Sequence, residues 1–288
     1  MKRKIRLYFS LTKPHVMMAN AITAAAGFLL ASQGHIRLGL FLALFFGSTL
    51  IIAAACALNN YLDRDIDSKM ERTKNRAMVR GAVSGRGAVI FSAVLAITGT
   101  LILIFFTNWP VVIIGIIGFI DYVWLYGAWT KRQSIHGTLV GSISGATPIL
   151  AGYVAVTDRI DAGAILVFII MFVWQMPEFY SISIYRRAEY KAAGVPVMSV
   201  KKGINNTKVQ ILIYTAAFVA ATLLLAALNY TGYVYLTIIG LMGLYWLGLA
   251  YKGLKTADNN VWARRMFRFS LNILMVFCLL ISINAWIP

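Results

Sequence analysis

Asn59, Asp63 and Asp67 fall at intervals of four residues, where a long apolar run gives way to a basic loop. On a helix that spacing sets the three side chains on one face. An amide and two carboxylates that point the same way offer oxygen ligands suited to a hard cation such as Mg²⁺. Ionisable groups at membrane depth are costly and usually functional. Asp65 adds a further carboxylate. Negative charge at a helix C-terminus opposes the helix dipole, so the cluster invites a compensating cation, either Mg²⁺ or the basic residues that follow. Those residues include Lys69, Arg72, Lys74 and Arg76. Carboxylates followed directly by Lys and Arg suit a diphosphate, because a metal bridges carboxylate to phosphate and Arg donates in pairs. A capped, solvated helix end and ordinary basic-loop charge are the plain alternatives. The chain has no Walker-type glycine loop, which argues against nucleotide hydrolysis.

Further polar residues interrupt apolar runs. Gln175 and Glu178 lie one turn apart within a span, and Pro177 between them frees a backbone carbonyl. With Glu189 near its mouth they would form a second polar wall of a cavity, although Gln175 could equally bond between helices. Asp121 sits deep in an apolar segment that continues through Tyr122 and Tyr126 to Lys131 and Arg132. It is expected to face the bundle interior, and the aromatic faces beside it could stabilise a cationic intermediate. His15, His35 and His136 lie near helix ends, with no metal-binding pair at helical spacing. Cys56 and Cys278 both lie in apolar segments and read as packing residues.

The elements that must position these groups are membrane helices. The chain of 288 residues is 60% hydrophobic, with a mean hydropathy of +0.74, which excludes an ordinary soluble domain. Spans are predicted at 15–32, 38–61, 87–106, 109–128, 137–157, 162–185, 208–228, 232–252 and 267–287. The division at Asn108-Trp109-Pro110 rests on total length and on Pro110 as a helix starter. The fold class expected is all-α, a polytopic bundle of about nine helices forming one membrane domain over residues 1–288.

A net charge of +17 would suggest nucleic acid in a soluble protein. Here the basic residues occupy alternate loops between spans, so no nucleic acid is expected as a partner, and anionic membrane lipid is. Of 27 Lys and Arg, only Arg37 and Arg159 fall in the opposite set of loops. That asymmetry predicts a cytoplasmic N-terminus, cytoplasmic basic loops and an extracytoplasmic C-terminus. The two longest polar loops, 62–86 and 186–207, lie on the same side, so the site is expected to face the cytoplasm.

Asn59-x₃-Asp63-x₃-Asp67 resembles the first aspartate-rich motif of the UbiA-type intramembrane prenyltransferases. The run from Asn60 to Arg76 is more specifically similar to the branch that farnesylates protohaem IX. So are Thr12-Lys13-Pro14, Lys131-Arg132, Gly141 to Pro148, Trp174-Gln175-Met176-Pro177, and Tyr190 to Pro196. The likeness runs through nearly the whole chain. It departs at Glu178, where that branch has His, and at Asp121, where an apolar residue is expected.

The resemblance implies a nine-helix bundle with a central cavity opening to the cytoplasm, in the plasma (inner) membrane. It implies farnesyl transfer from farnesyl diphosphate to a vinyl group of haem B, with water addition, giving haem O and diphosphate. Mg²⁺ is the cofactor implied. Asn59, Asp63 and Asp67 would hold it, while Arg72, Lys74 and Arg76 with Lys131 and Arg132 would neutralise the diphosphate. Asp121, Tyr122, Tyr126, Gln175, Glu178 and Glu189 would line the acceptor cavity. Haem A synthase or a terminal oxidase would be a downstream partner. Prenyl transfer to a quinone precursor is the alternative within the class. An ion-coupled transporter using Asp121 and Glu178 is the alternative outside it, and leaves the carboxylate-and-arginine loop unexplained.

Overall fold

The structure is a computed structural model that describes residues 2–287, and it contains helices and no strands among them. An amphipathic helix α1 (Lys2–Leu11) precedes the membrane helices. The spans are α2 (Pro14–Ser32), α3 (Leu38–Leu62), α4 (Gly85–Phe106), α5 (Trp109–Gln133) and α6 (Gly137–Thr157). They continue with α7 (Ala162–Tyr185), α8 (Gly203–Ala227), α9 (Tyr233–Gly253) and α10 (Asn259–Ile283). Nine helices among the described residues are thus long and apolar enough to cross a membrane.

Three elements depart from the sequence reading. α8 and α10 begin five and eight residues before the apolar runs at 208 and 267. The start of α10 carries exposed Arg264, Arg265 and Arg268, long basic side chains that let a helix project past the hydrocarbon while the charged heads stay wet. By contrast, α8 begins through Asn205, Asn206 and Thr207, and its Lys208 is buried, donating to the Thr256 carbonyl at 3.3 Å. α5 runs to Gln133 rather than 128, because residues Asp121–Thr130 are wound as a π-helix that stays hydrogen-bonded through the polar end. The Thr130 hydroxyl donates to the Leu125 carbonyl, five residues back, at 2.7 Å.

Sequence-encoded caps set several helix starts. Ser84, Asn108 and Asp161 each accept the backbone N–H three residues on, and Asp258 accepts those of Asn260 and Val261. Each satisfies donors that a helix N-terminus leaves orphaned. The Asn108 amide also donates to the Val154 carbonyl at 3.0 Å, tying the start of α5 to the end of α6.

α2, α3, α5, α6, α7 and α10 surround the centre, with α2 packed against α10 to close the ring. α4, α8 and α9 pack outside, and α4 presents Ile90, Val94, Ile97, Leu101 and Phe105 outward. Exposed apolar stripes of this kind face lipid. α2 and α6 approach until backbones touch. A Cβ on Gly27 would strike the Ile149 carbonyl, and one on Gly152 would strike that of Ala24. On the same helix Gly145 leaves room for the Gln175 side chain, and Gly141 for the ring of Tyr126. The small-residue face of α6 therefore packs closely and also admits two polar side chains to the interior. Pro148 removes an N–H from α6, and the Thr147 hydroxyl donates to the freed Ser144 carbonyl at 2.8 Å.

Candidate active site

The helical strip at the end of α3 is continuous enough to keep the spacing of four. The Asp63 N–H donates to the Asn59 carbonyl at 2.9 Å, and the Asp67 N–H to the Asp63 carbonyl at 2.8 Å. Arg64–Asp67 forms one further turn. Asn59, Asp63 and Asp67 are buried, at 1%, 1% and 4% exposure, and all three line one cavity.

Each carries a different cation. Lys13 Nζ donates to Asn59 Oδ1 at 2.5 Å. Lys131 Nζ donates to Asp63 Oδ2 at 2.5 Å, and Arg76 Nη1 to Asp67 Oδ2 at 2.6 Å. Asp63 Oδ1 and Asn59 Nδ2 are buried without partners. No group of three or more His, Cys, Asp or Glu converges on a metal position among the described residues. Mg²⁺ commonly takes only one or two protein carboxylates and completes its shell with water and substrate phosphates. The carboxylates of Asp63 and Asp67 and the amide carbonyl of Asn59 fit that role, and Asp63 Oδ1 is without a partner.

Lys13 is a site residue that the charge pattern alone did not mark. It sits at φ 50°, ψ 69° before Pro14, a left-handed conformation costly for a non-glycine residue, while proline disfavours the ordinary helical one. The twist starts α2 and sends the Lys13 side chain to Asn59, with its ammonium 5.8 Å from the centre of the Tyr122 ring. Burial pushes the Lys13 pKa down to about 8, opposed by Cys56, with Arg76 and Lys131 lowering it further. The signal present in the sequence was its position immediately before the first span, within Thr12-Lys13-Pro14.

The π-helical part of α5 decides which of its residues face the cavity. Tyr122, Tyr126 and Lys131 are spaced by four and five, a step that suits the wider turn of this segment, and all three line the cavity. Lys131 Nζ lies 5.6 Å from the Tyr126 ring centre. Arg132 points to the outer surface, where it grips Asp65 with two bonds of 2.7 and 2.8 Å. That pair holds the Asp65 pKa below the usual carboxylate range.

The cavity has a volume of about 620 Å³. Of the residues singled out from sequence, it brings together Asn59, Asp63, Asp67, Arg72, Arg76, Tyr122, Tyr126, Lys131, Gln175 and Glu178. Four others are not in its wall, each for a visible reason. Lys74 pairs with Glu71 on the surface at 2.5 Å, and Arg132 is spent on Asp65. Asp121 turns toward α6 and accepts the Ser144 N–H at 3.0 Å, with its other oxygen buried and unpartnered. Glu189 pairs with Arg186 at 2.7 Å, one turn away on the same short segment. Tyr190, its neighbour, lines the cavity instead. His15 lines it too, as does Cys56. Below the charged rim the walls are apolar, with Ile51, Leu103, Val111 and Ile114 on one side and Trp174, Phe179, Phe267 and Leu271 on the other.

A rim of carboxylates and cations over an apolar chamber can hold a phosphorylated head and shelter a hydrocarbon tail. Proteins of known identity resemble the chain throughout its length. Residues 20–273 match the UbiA prenyltransferase family. The chain is 43% identical over 284 residues to protoheme IX farnesyltransferase 2 of Pseudomonas fluorescens strain Pf0-1, spanning 99% of this chain and 96% of that protein. Identity is also 43%, over 281 residues, to the protoheme IX farnesyltransferase of Klebsiella pneumoniae, spanning 98% and 95%. Among solved structures, a digeranylgeranylglyceryl phosphate synthase superposes with a TM-score of 0.83 at 21% identity, covering 98% of this chain and 99% of that one. A UbiA homologue from Archaeoglobus fulgidus, bound to GPP and Mg²⁺, gives 0.71 at 14% identity, covering 96% and 99%.

Proposed function

The chain belongs to the UbiA prenyltransferase family, and from that premise we propose that it transfers the farnesyl group of farnesyl diphosphate to a vinyl group of protohaem IX, with addition of water, giving haem O and diphosphate. The near-full-length identity to protoheme IX farnesyltransferases supports the donor and the acceptor. The observation that carries the reaction type is the rim itself, where Asp63 and Asp67 meet Lys131 and Arg76 at the mouth of an apolar cavity.

Asn59, Asp63 and Asp67 are the residues that would hold Mg²⁺, which supplies charge neutralisation for the diphosphate. The Mg²⁺ and GPP bound by the structural neighbour support that reading. Lys13, Arg72, Arg76 and Lys131 would donate to the phosphate oxygens, and stabilising the leaving group is what promotes allylic C–O cleavage. The apolar wall excludes water from the allylic cation or its ion pair until the vinyl group attacks. Tyr122 and Tyr126 offer ring faces to the developing positive charge. The protein would lie in the inner membrane, and the loop charge supports an orientation with the N-terminus, the basic loops and the rim in the cytoplasm. Its product would serve haem A synthase or a terminal oxidase.

Extraction and mass analysis of haem from cells expressing the chain tests the proposal. A new porphyrin heavier than haem B by farnesyl plus water is expected. Asp63→Ala should remove it while the protein still inserts in the membrane. Near-normal haem O from that variant would sink the assignment of the rim, and an exclusively prenylated aromatic acid would sink that of the acceptor.

A further inference from the structure

Three carboxylates line the cavity: Asp63, Asp67 and Glu178. The first two are held by Lys131 and Arg76. Glu178 has no hydrogen-bond or ion-pair partner among the described residues. The amide of Gln175, one turn away on α7, donates to the carbonyls of Ser142 at 3.1 Å and Met171 at 2.9 Å, so its donors are committed elsewhere. On the same helix Trp174, Gln175, Phe179 and Ser183 also line the cavity, and α10 contributes Phe267, Leu271 and Leu274.

Along its own helix Glu178 sits further from the end of the span than Asp63 does. It precedes the end of α7, Tyr185, by seven residues, about 10 Å of helix at 1.5 Å per residue. Asp63 directly follows the last residue of α3. The cavity therefore has a cationic end suited to a leaving group and, further from the end of its helix, an isolated acid with no cation to neutralise it.

We propose that Glu178 is the catalytic base of the water-addition half of the reaction. The inference rests on the farnesyl-transfer reading and assigns a residue to a step that the rim does not serve. The donor C1–O bond breaks and its electron pair leaves with the diphosphate. The vinyl π pair forms the new C–C bond, and the positive charge falls on the vinyl carbon attached to the porphyrin. A water lone pair fills that centre and forms the C–O bond. The proton on this oxygen passes to a Glu178 carboxylate oxygen and then to solvent. Asp63 and Asp67 are poorly suited to the task, since each already faces a cation at the rim. A carboxylate at this position also lowers the energy of the cation that water must trap. General bases of this kind contribute about 10²–10⁴-fold.

The test uses the full chain in detergent with haem B, farnesyl diphosphate and Mg²⁺ in ¹⁸O-labelled water, with porphyrin products resolved by mass. Wild type should give the labelled hydroxyethylfarnesyl product. Glu178→Gln keeps the shape and removes the base. It should still release diphosphate and form the C–C bond, with the hydrated share falling at least tenfold. A product lighter by one water should replace it, formed when the cation loses a C–H proton instead. Glu178→Asp should fall between the two, and it carries the test alone if the Gln variant does not fold. An unchanged hydrated share in either folded variant overturns the proposal, including the case where total farnesylation drops and the share does not. Wild type that makes no farnesylated porphyrin at all refutes the proposed function, and with it the premise of this step.

Discussion

Lys131→Met isolates the charge that holds the rim together. Asp63 is 1% exposed and Lys131 18%, with 2.5 Å between Nζ and Oδ2. Asp63 Oδ1 is already without a partner, so removal of Lys131 strands a buried carboxylate that has no second side-chain donor. Leaving one member of such a pair uncompensated costs about 3–5 kcal/mol. Asp63→Asn leaves the ammonium at the cavity mouth, where water reaches it, and should cost about 1–2 kcal/mol. The double variant has neither charge to compensate and should lie close to Asp63→Asn. The coupling energy of the cycle is then about the full 3–5 kcal/mol assigned to Lys131→Met, at or above the top of the range usual for residues in direct contact. Equilibrium unfolding in mixed micelles measures all four corners, and diphosphate release measures turnover in parallel. Turnover should stay lost in the double variant although its stability returns, because Asp63 and Lys131 are assigned separate duties toward metal and phosphate. Additive losses, or a Lys131→Met protein as stable as wild type, would refute the account of the rim as mutually neutralised charge.

Arg132→Gln should behave unlike Lys131→Met, with stability lowered by less than about 1 kcal/mol, as for an exposed pair, and diphosphate release within a few-fold of wild type. Lys13 is held at a pKa of about 8 by burial, against 10.5 when exposed. The unfolded chain therefore binds more protons between those values, and stability should rise with pH from about 8 to 10.5. Melting curves across that window should show the rise in wild type and its loss in Lys13→Met. Gly152→Val would press against the Ala24 backbone, which cannot yield as a side chain can, and should cost at least about 1–3 kcal/mol by forcing α2 from α6. Gly248→Ala, in open space on α9, should instead stabilise by about 0.5–1 kcal/mol, with thermal unfolding reporting both.

The spans were legible because bilayer thickness fixes their length and composition, and the strip Asn59, Asp63, Asp67 because a spacing of four survives any helix. Lys13 was not legible as a site residue, since its partner Asn59 is 46 residues away. Only the antiparallel return of α3 beside the start of α2 makes them neighbours. The early starts of α8 and α10 escaped for a related reason. Hydropathy reports the hydrocarbon core and is silent on a helix that continues into the polar boundary.

Lys131 and Arg132 show the deeper limit. As adjacent basic residues after one span they carry the same sequence signal, yet one enters the cavity and the other binds Asp65 outside. An α-helical periodicity beginning at Tyr122 and Tyr126 would bring residue 130 to their face next. The π-helix over Asp121–Thr130 adds one residue to that step and brings Lys131 there. Such insertions often occur at functional sites, and the use here is concrete, since the extra residue turns a cation toward Asp63. A local hydrogen-bond register that periodicity does not encode thus selects which cation serves the rim.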